Sequence, residues 1–463
     1  MSADRPINAD VPAPTPPEEA PKERPKETRE QQKAQPAAAA KPAAPIPTPP
    51  PPPTRRRQPK PLAPKLLAGL VLIAIVFIAV AVIGGTGGGK DEESTDGGSV
   101  PSPAAAPADT GSASAQSATG LGFPVFATGN TTRVGGTNPA ANAAAVALAV
   151  FPSTTPSQRP AAVTLVAEDD WAGAIAAAVL MSAPVGAPVL FSAAAGMPNA
   201  TEEALAALDP QGDGSTGGAA NFAIGDVAAA EGKVTRLPAG GAAATAAAIA
   251  GLRDRLVDSP PAHIVLAPEG EPELAMPAAA WAARSGDPVL FAAGDELPPP
   301  TVEYLEKHNK APIYVLGPSS AISSELVREA EKIGGSVKRV SGENPVANSI
   351  ALARYSDGGF GWAINDPGHG FVLARSDSPL GAAAAAPLSA SGTWGPLLLT
   401  DSADTLPADL RDYFLDVKPG YTDNPTRAFY NHVWVIGDQE AIDLNQQAEV
   451  NELAELAKIG GAQ

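Results

Sequence analysis

From residue 123 onward, short apolar runs alternate with long alanine-rich stretches, and the pattern passes along the chain three times. Residues 163–167, 263–267 and 370–374 each hold a run of mostly apolar side chains with no polar alternation. Strands covered on both faces read this way, and such strands belong to parallel sheets. A polar loop and an alanine-rich helix follow each run, expected at 171–182, 274–284 and 380–388. The segments Pro188-Val-Leu-Phe, Pro288-Val-Leu-Phe and Pro396-Leu-Leu-Leu predict a second strand. Amphipathic helices are expected near 201–208, 300–308 and 407–414, and a last strand runs into glycine at 222–225, 314–317 and 433–437. Strand alternating with helix predicts an α/β fold with right-handed crossovers.

A second pattern sets the period. Arg133, Arg236 and Arg339 stand 103 residues apart, and each opens a similar segment, from R-V-G-G-T-N-P-A-A-N through R-L-P-A-G-G-A-A-A-T to R-V-S-G-E-N-P-V-A-N. Self-similarity at a fixed spacing marks one structural unit repeated in space. A period near 100 lies well above that of solenoids, so each unit holds a small core of its own. The repeats divide the body into units 123–231, 232–335 and 336–463. Their many alanines let helices lie close to the sheets and leave each core thin, which favours packing of the units against one another.

The chain before the body has a different character. Residues 1–65 contain nineteen prolines and few large apolar side chains. Such a segment buries too little surface to offset its ordering entropy, so a disordered, proline-rich cytoplasmic tail is expected, either a spacer or a docking site for a cytoplasmic partner. Eighteen residues without a polar side chain run from Leu66 to Ile83. That length matches a bilayer core, and a transmembrane helix is expected over 66–85. Arg55, Arg56, Arg57, Lys60 and Lys65 precede it, while Asp91, Glu92, Glu93 and Asp96 follow. The cationic side stays cytoplasmic, which predicts a single-pass protein of the cell membrane with its body outside. Residues 86–122 read as a flexible tether spanning about 35 Å.

Charge and composition narrow the chemistry. Net charge is −18, with residues 1–65 carrying 12 Lys and Arg against 7 Asp and Glu and the remainder 20 against 43. An acidic body argues against nucleic acid as a partner, since phosphate neutralisation needs clustered cations. Cysteine is absent and only His263, His308, His369 and His432 are present, with no HExxH spacing. No metal and no cofactor is expected. Neither a G-x-G-x-x-G after a strand nor a phosphate-binding G-x-x-x-x-G-K-[ST] nor a G-x-S-x-G elbow occurs. Asp169, Asp170, Asp377 and Asp401 follow strands, where carboxylates serve either catalysis or helix capping.

The order of these motifs resembles the cell wall-binding repeat type 2 family of Gram-positive surface proteins. The residues that carry the likeness are Asp170-Trp-Ala-Gly-Ala-Ile-Ala-Ala-Ala in unit one and Tyr314-Val-Leu-Gly-Pro-Ser-Ser-Ala-Ile-Ser in unit two. Unit three adds Ala383-Ala-Ala-Ala-Pro-Leu-Ser and Pro396-Leu-Leu-Leu-Thr. The likeness covers about 330 residues, all of the body, and no single motif carries it alone. The copies depart from the family at its second arginine, where Pro139, Ala242 and Pro345 stand, and unit two carries Glu271-Pro-Glu-Leu-Ala-Met-Pro in place of an aspartate loop. The resemblance implies three Rossmann/Toprim-like units with parallel sheets in a pseudo-threefold arrangement. It also implies grooves between units that hold an anionic wall polymer.

Candidate polymer contacts follow from both readings. Arg133, Arg236 and Arg339 suit bidentate anion recognition, or else they end strands and pair with carboxylates of a neighbouring unit. Ser192, Ala292 and Thr400 lie at strand ends, where open α/β sheets take ligands. The expectation is a non-catalytic, membrane-anchored protein outside the cytoplasm that associates with a cell-wall or envelope polymer. A scaffold of an envelope complex and an envelope hydrolase are the alternatives.

Overall fold

The computed structural model describes residues 126–391 and 395–459. The proline-rich tail expected at 1–65, the helix at 66–85 and the tether at 86–122 lie outside the described residues.

Three sheets of one plan form the body. Strands β3 (Val163–Ala167), β4 (Val189–Ser192), β5 (Asn221–Ile224) and β6 (Val234–Leu237) make the first, in the order β4-β3-β5-β6, all parallel. In the second, β7 (Ile264–Pro268), β8 (Val289–Ala292), β9 (Ile313–Leu316) and β10 (Val337–Val340) repeat that order, reading β8-β7-β9-β10. The third contains β11 (Gly370–Arg375), β12 (Leu397–Thr400) and β14 (His432–Ile436), with β12-β11-β14 parallel. Its fourth place is taken by β2 (Thr131–Val134), from the opposite end of the body, parallel to β14 with Val435 level with Arg133. A two-residue strand β1 (Phe126–Ala127) closes that edge antiparallel to β2, and β13 (Gly420–Tyr421) pairs with β15 (Ala457–Lys458) as a separate ribbon.

Each arginine strand therefore completes the sheet of one unit and then hands the chain to the next. Sequence repeat and sheet are offset by one strand. The connecting helices make this offset into an interlock. Helix α1 (Pro139–Val150) leaves β2 of the third sheet and packs on β4 of the first and on α3 (Asn199–Leu208). Helix α4 (Gly241–Val257) leaves β6 and packs on β8 and α6 (Pro299–Lys307) of the second unit. Helix α8 (Pro345–Arg354) leaves β10 and packs on β12 and α10 (Ala408–Asp416) of the third. Two further helices cover sheet edges, α7 (Ser324–Ile333) and α11 (Leu444–Ala454).

The alanine-rich helices lie at the centre. These are α2 (Trp171–Ala177), continued by the tight turn Ala178–Met181, with α5 (Pro272–Ser285) and α9 (Pro379–Ala390), and each touches the other two. In α9 every residue from Gly381 to Ser389 is buried, and in α5 every residue from Leu274 to Ala283. A helix buried all round needs no amphipathic stripe. Small side chains also bring helix axes and sheet close, so the three thin cores merge into one cluster running through all three sheets.

The expected fold class is corrected in one respect. The α/β units with parallel sheets are present, but among the described residues no helix is long and apolar enough to cross a membrane. The longest of them, α4, has 17 residues and carries Arg253, Asp254 and Arg255 in its last turns. The most apolar, α1, has 12 residues, about 18 Å against a bilayer core of about 30 Å, and it packs on α3 and α9 of the body. The transmembrane helix expected at 66–85 and the single-pass location in the cell membrane drawn from it are not supported.

Candidate functional site

The three arginines occupy equivalent places at the carboxyl ends of the fourth strands, and each turns its guanidinium onto the glycine loop of the neighbouring strand. Arg133 is the most enclosed, 1% exposed. Its Nη1 donates to the carbonyls of Gly437 and Asp438 at 3.0 and 2.5 Å and its Nη2 to that of Ile442 at 2.6 Å. The Gln447 Oε1 accepts from both Nε and Nη2, at 3.0 and 2.8 Å. Burial lowers the guanidinium pKa, partly offset by the charges of Asp438 and Asp443. Arg339 repeats the clamp on the carbonyls of Gly317 at 2.7 Å, Pro318 at 3.0 Å and Ile322 at 2.7 Å. Arg236 makes the shortest version, a single bond to the Val227 carbonyl at 2.9 Å, because unit one ends in a shorter loop. The partners are backbone carbonyls and, for Arg133, the Gln447 side chain; the carboxylate of a neighbouring unit, one of the two expected partners, is bonded by none of the three.

A second repeated contact escaped the sequence reading. Asn142, Thr245 and Asn348 each lie nine residues after their arginine. Asn142 Oδ1 accepts from the Gly136 N–H at 2.8 Å, Thr245 Oγ1 from Gly240 at 3.2 Å and Asn348 Oδ1 from Gly342 at 3.3 Å. Each therefore pins the turn between arginine strand and helix. The available signal was the 103-residue period itself, which carries these three polar residues through otherwise apolar helix faces.

The strand-end residues Ser192, Ala292 and Thr400 are all buried, at 1%, 0% and 0% exposure. The Ser192 hydroxyl donates to the Ala228 carbonyl at 2.9 Å and that of Thr400 to Ser402 at 3.1 Å. They sit on the first flank of each sheet, apart from the arginines on the fourth strand.

Two open crevices lie between these places. In unit one a cavity of about 380 Å³ is lined by Ala167, Asp169, Asp170, Ile224, Gly225, Asp226, Ala239, Gly241 and Thr245. In unit three a cavity of about 360 Å³ is lined by Asn142, Ala374, Arg375, Asp377, Ser378, Gly381, Ala403, Ile436, Gly437, Glu440 and Ala441. Both stand over the carboxyl ends of neighbouring strands, β3 and β5 in one and β11 and β14 in the other, from which the connections run in opposite directions. Open α/β sheets take ligands at such switch points. The floors are alanine and glycine backbone and the rims are polar. Asp170 caps α2 by accepting from the Gly173 N–H at 2.8 Å, and burial raises its carboxyl pKa, with the nearby Asp169 adding to the rise. In unit three the Arg375 guanidinium is paired with Asp377, Nη2 to Oδ2 at 2.6 Å. Neither rim presents a cation without a carboxylate beside it.

The remaining candidates are structural. The His263 Nδ1–H donates to Asp287 Oδ2 at 3.0 Å, and Nε2 faces the Gly358 carbonyl at 3.3 Å. The glycine-rich insertion of unit three therefore docks on unit two, with Phe360 stacked on Tyr314 at 3.7 Å between ring centres and edge-to-face with Trp281 at 4.9 Å. His308 binds Asp254 at 2.8 Å. Among the described residues no group of three His, Asp or Glu side chains is placed to hold a metal ion.

No protein-family model and no curated protein matches this sequence. Solved structures do match the fold. The chain is similar to Cwp8 from Clostridium difficile, with a TM-score of 0.52 at 19% identity over 70% of this chain and 52% of that one. It is likewise similar to Cwp6 from Clostridium difficile, with a TM-score of 0.54 at 18% identity over 70% of this chain and 47% of that one. The chain thus spans about half the length of either protein, and at this identity the likeness is one of fold.

Proposed function

We propose that the body is a non-catalytic binding module of the cell envelope, which holds a wall glycan in the crevices of units one and three. The observation that carries this reading is the pair of equivalent crevices at the carboxyl ends of two sheets. Fold similarity to Cwp8 and Cwp6, cell wall proteins of Clostridium difficile, supports the setting. The repeats that resemble the cell wall-binding type 2 pattern support it too.

The rims narrow the ligand class. Asp169, Asp170 and Asp226 line one crevice, and Asp377 and Glu440 flank the lone Arg375 in the other. Carboxylates accept hydrogen bonds from hydroxyl and amino groups and repel phosphate or carboxylate at the distances of a bound ligand. Arg133 and Arg339 direct their guanidinium N–H groups to backbone carbonyls, and neither lines a crevice. Neutral or amino-bearing saccharides fit better than a polyanion. Asp170, as a helix cap, and Asp377, as an ion-pair partner, are assigned to shaping the sites.

The full chain mixed with purified, protein-free Gram-positive walls should co-sediment with them above an unrelated protein of equal negative charge. Retention should persist at about 0.5 M salt, where the Debye length falls to about 4 Å from about 8 Å at 0.15 M, because little of it is ionic. Absence of retention would reject the reading. Loss of retention in salt would reject a neutral ligand in favour of a charged one.

A further inference from the structure

Units one and three have open crevices, and unit two has a leucine in the corresponding place. The helices that line the crevices begin at the caps Asp170, Glu271 and Ser378. Three residues into each helix stand Gly173, Leu274 and Gly381. The glycines that end β5, β9 and β14 are Gly225, Gly317 and Gly437, all at positive φ (78°, 102° and 95°). A methyl group built on Gly317 would meet Leu274 Cδ1 at 3.1 Å and its Cβ at 3.7 Å. Built on Gly225 it would meet only Ala239, and on Gly437 only Ala441. Leu274 is 2% exposed. Its isobutyl group therefore lies against Gly317, over the switch point of the second sheet.

The polar partner changes in the same sense. Thr245 and Asn142 line the open crevices of units one and three. Their counterpart Asn348 instead donates its Nδ2 to the Leu274 carbonyl at 3.2 Å, tying down the backbone of the plug.

We propose that Leu274 closes the crevice of unit two, so that each chain offers two glycan sites and not three. This rests on the reading of the crevices as glycan sites. The physical reason is steric and chemical together: the side chain fills the volume a sugar ring would take, and it presents methyl groups where a saccharide needs hydrogen-bond partners.

Two substitutions move the count in opposite directions. Leu274→Gly reopens unit two. Gly381→Leu closes unit three, where a Cβ would meet only the Ser378 side chain, at 2.9 Å from its Oγ, a hydroxyl able to rotate away. Gly173 is unsuitable for the converse test, since a Cβ there would collide with the Asp170 carboxylate that caps the helix. The probe is a size-fractionated neutral oligosaccharide from Gram-positive wall, titrated into the full chain and counted by native mass spectrometry and calorimetry. The expected result is two molecules per wild-type chain, one for Gly381→Leu and three for Leu274→Gly. If Leu274→Gly fails to fold, Gly381→Leu still decides. Three molecules on the wild type, two on Gly381→Leu, or two on a folded Leu274→Gly would overturn the plug while leaving the glycan reading in place. No binding by any of the proteins would overturn the glycan reading, and the plug with it.

Discussion

Arg133 donates from all three of its nitrogens into an enclosed nest of carbonyls and Gln447, whereas Arg236 holds one carbonyl from an exposed position. The same residue type at the same repeat position therefore has unequal weight. Truncating Arg133 leaves several buried carbonyls and Gln447 without donors, and each unsatisfied group costs about 1–3 kcal/mol. Arg133→Ala should destabilise the body by about 3–5 kcal/mol and Arg236→Ala by less than about 1 kcal/mol, read from urea or thermal unfolding. Equal losses would dismiss the clamp. A second residue-scale prediction concerns His263, whose pKa is raised chiefly by its hydrogen bond to Asp287, against the opposing effect of burial. Its ring also faces the Gly358 carbonyl and the Tyr314 and Phe360 rings, with Asp357 nearby in ion contact with Lys338. A raised folded pKa gives stability that is full below the unfolded value of about 6.5 and is lost as pH rises through the folded value. His432 acts oppositely, because burial lowers its pKa, so the fold loses stability from that residue as pH falls below about 6.5. The difference between wild type and His263→Gln isolates the first effect: their melting temperatures should be furthest apart near pH 6 and converge toward pH 9. A gap that stays constant with pH would exclude it.

At the scale of elements, the helices and strands were legible because their patterns are local. Strand 163–167 matches β3, and the alanine-rich run expected at 171–182 became α2 and its continuing turn, since these residues are buried whichever neighbours they meet. Helix α5 begins at Pro272, two residues earlier than expected, because proline is favoured at the first helical position and needs no N–H partner there. Asn138 and Asn344 cap α1 and α8, accepting from Ala141 at 2.9 Å and Ala347 at 2.8 Å, each followed by proline. Asn138→Ala and Asn344→Ala should each cost about 1 kcal/mol in chemical denaturation. The alanines of α9 leave no room for more: Ala384 is fully buried, and Ala384→Leu should destabilise by about 1–3 kcal/mol through overpacking. A neutral or stabilising result would mean that the central helices are loosely packed.

Over the whole molecule, the sheets join what the chain separates. β2 belongs beside β14, about 300 residues later, and the joint is reinforced by Thr128 bonding Asn451 at 2.6 Å and Gln447 bonding Thr131 at 2.9 Å. A chain starting at Pro139 would lose β1, β2 and the Arg133 clamp together. Hydrogen exchange in β14 should then accelerate well before that in β3 or β7, as measured by mass spectrometry on peptides covering each strand. Uniform acceleration across the three sheets would show that the closure acts on all units alike. The location of the crevices also emerged at this scale. Their walls bring together residues as distant as Asn142 and Gly437, a pairing that exists because α1 follows a strand of the third sheet.

The apolar runs and the alanine content were enough to place an α/β fold with parallel sheets, since periodicity and burial preference are properties of neighbouring residues. Folding in space settled which units share a strand, that the arginines bind carbonyls, and that Leu274 lies over Gly317. Those outcomes depend on contacts between segments one period or more apart, and pairwise proximity across such distances leaves no imprint on local pattern.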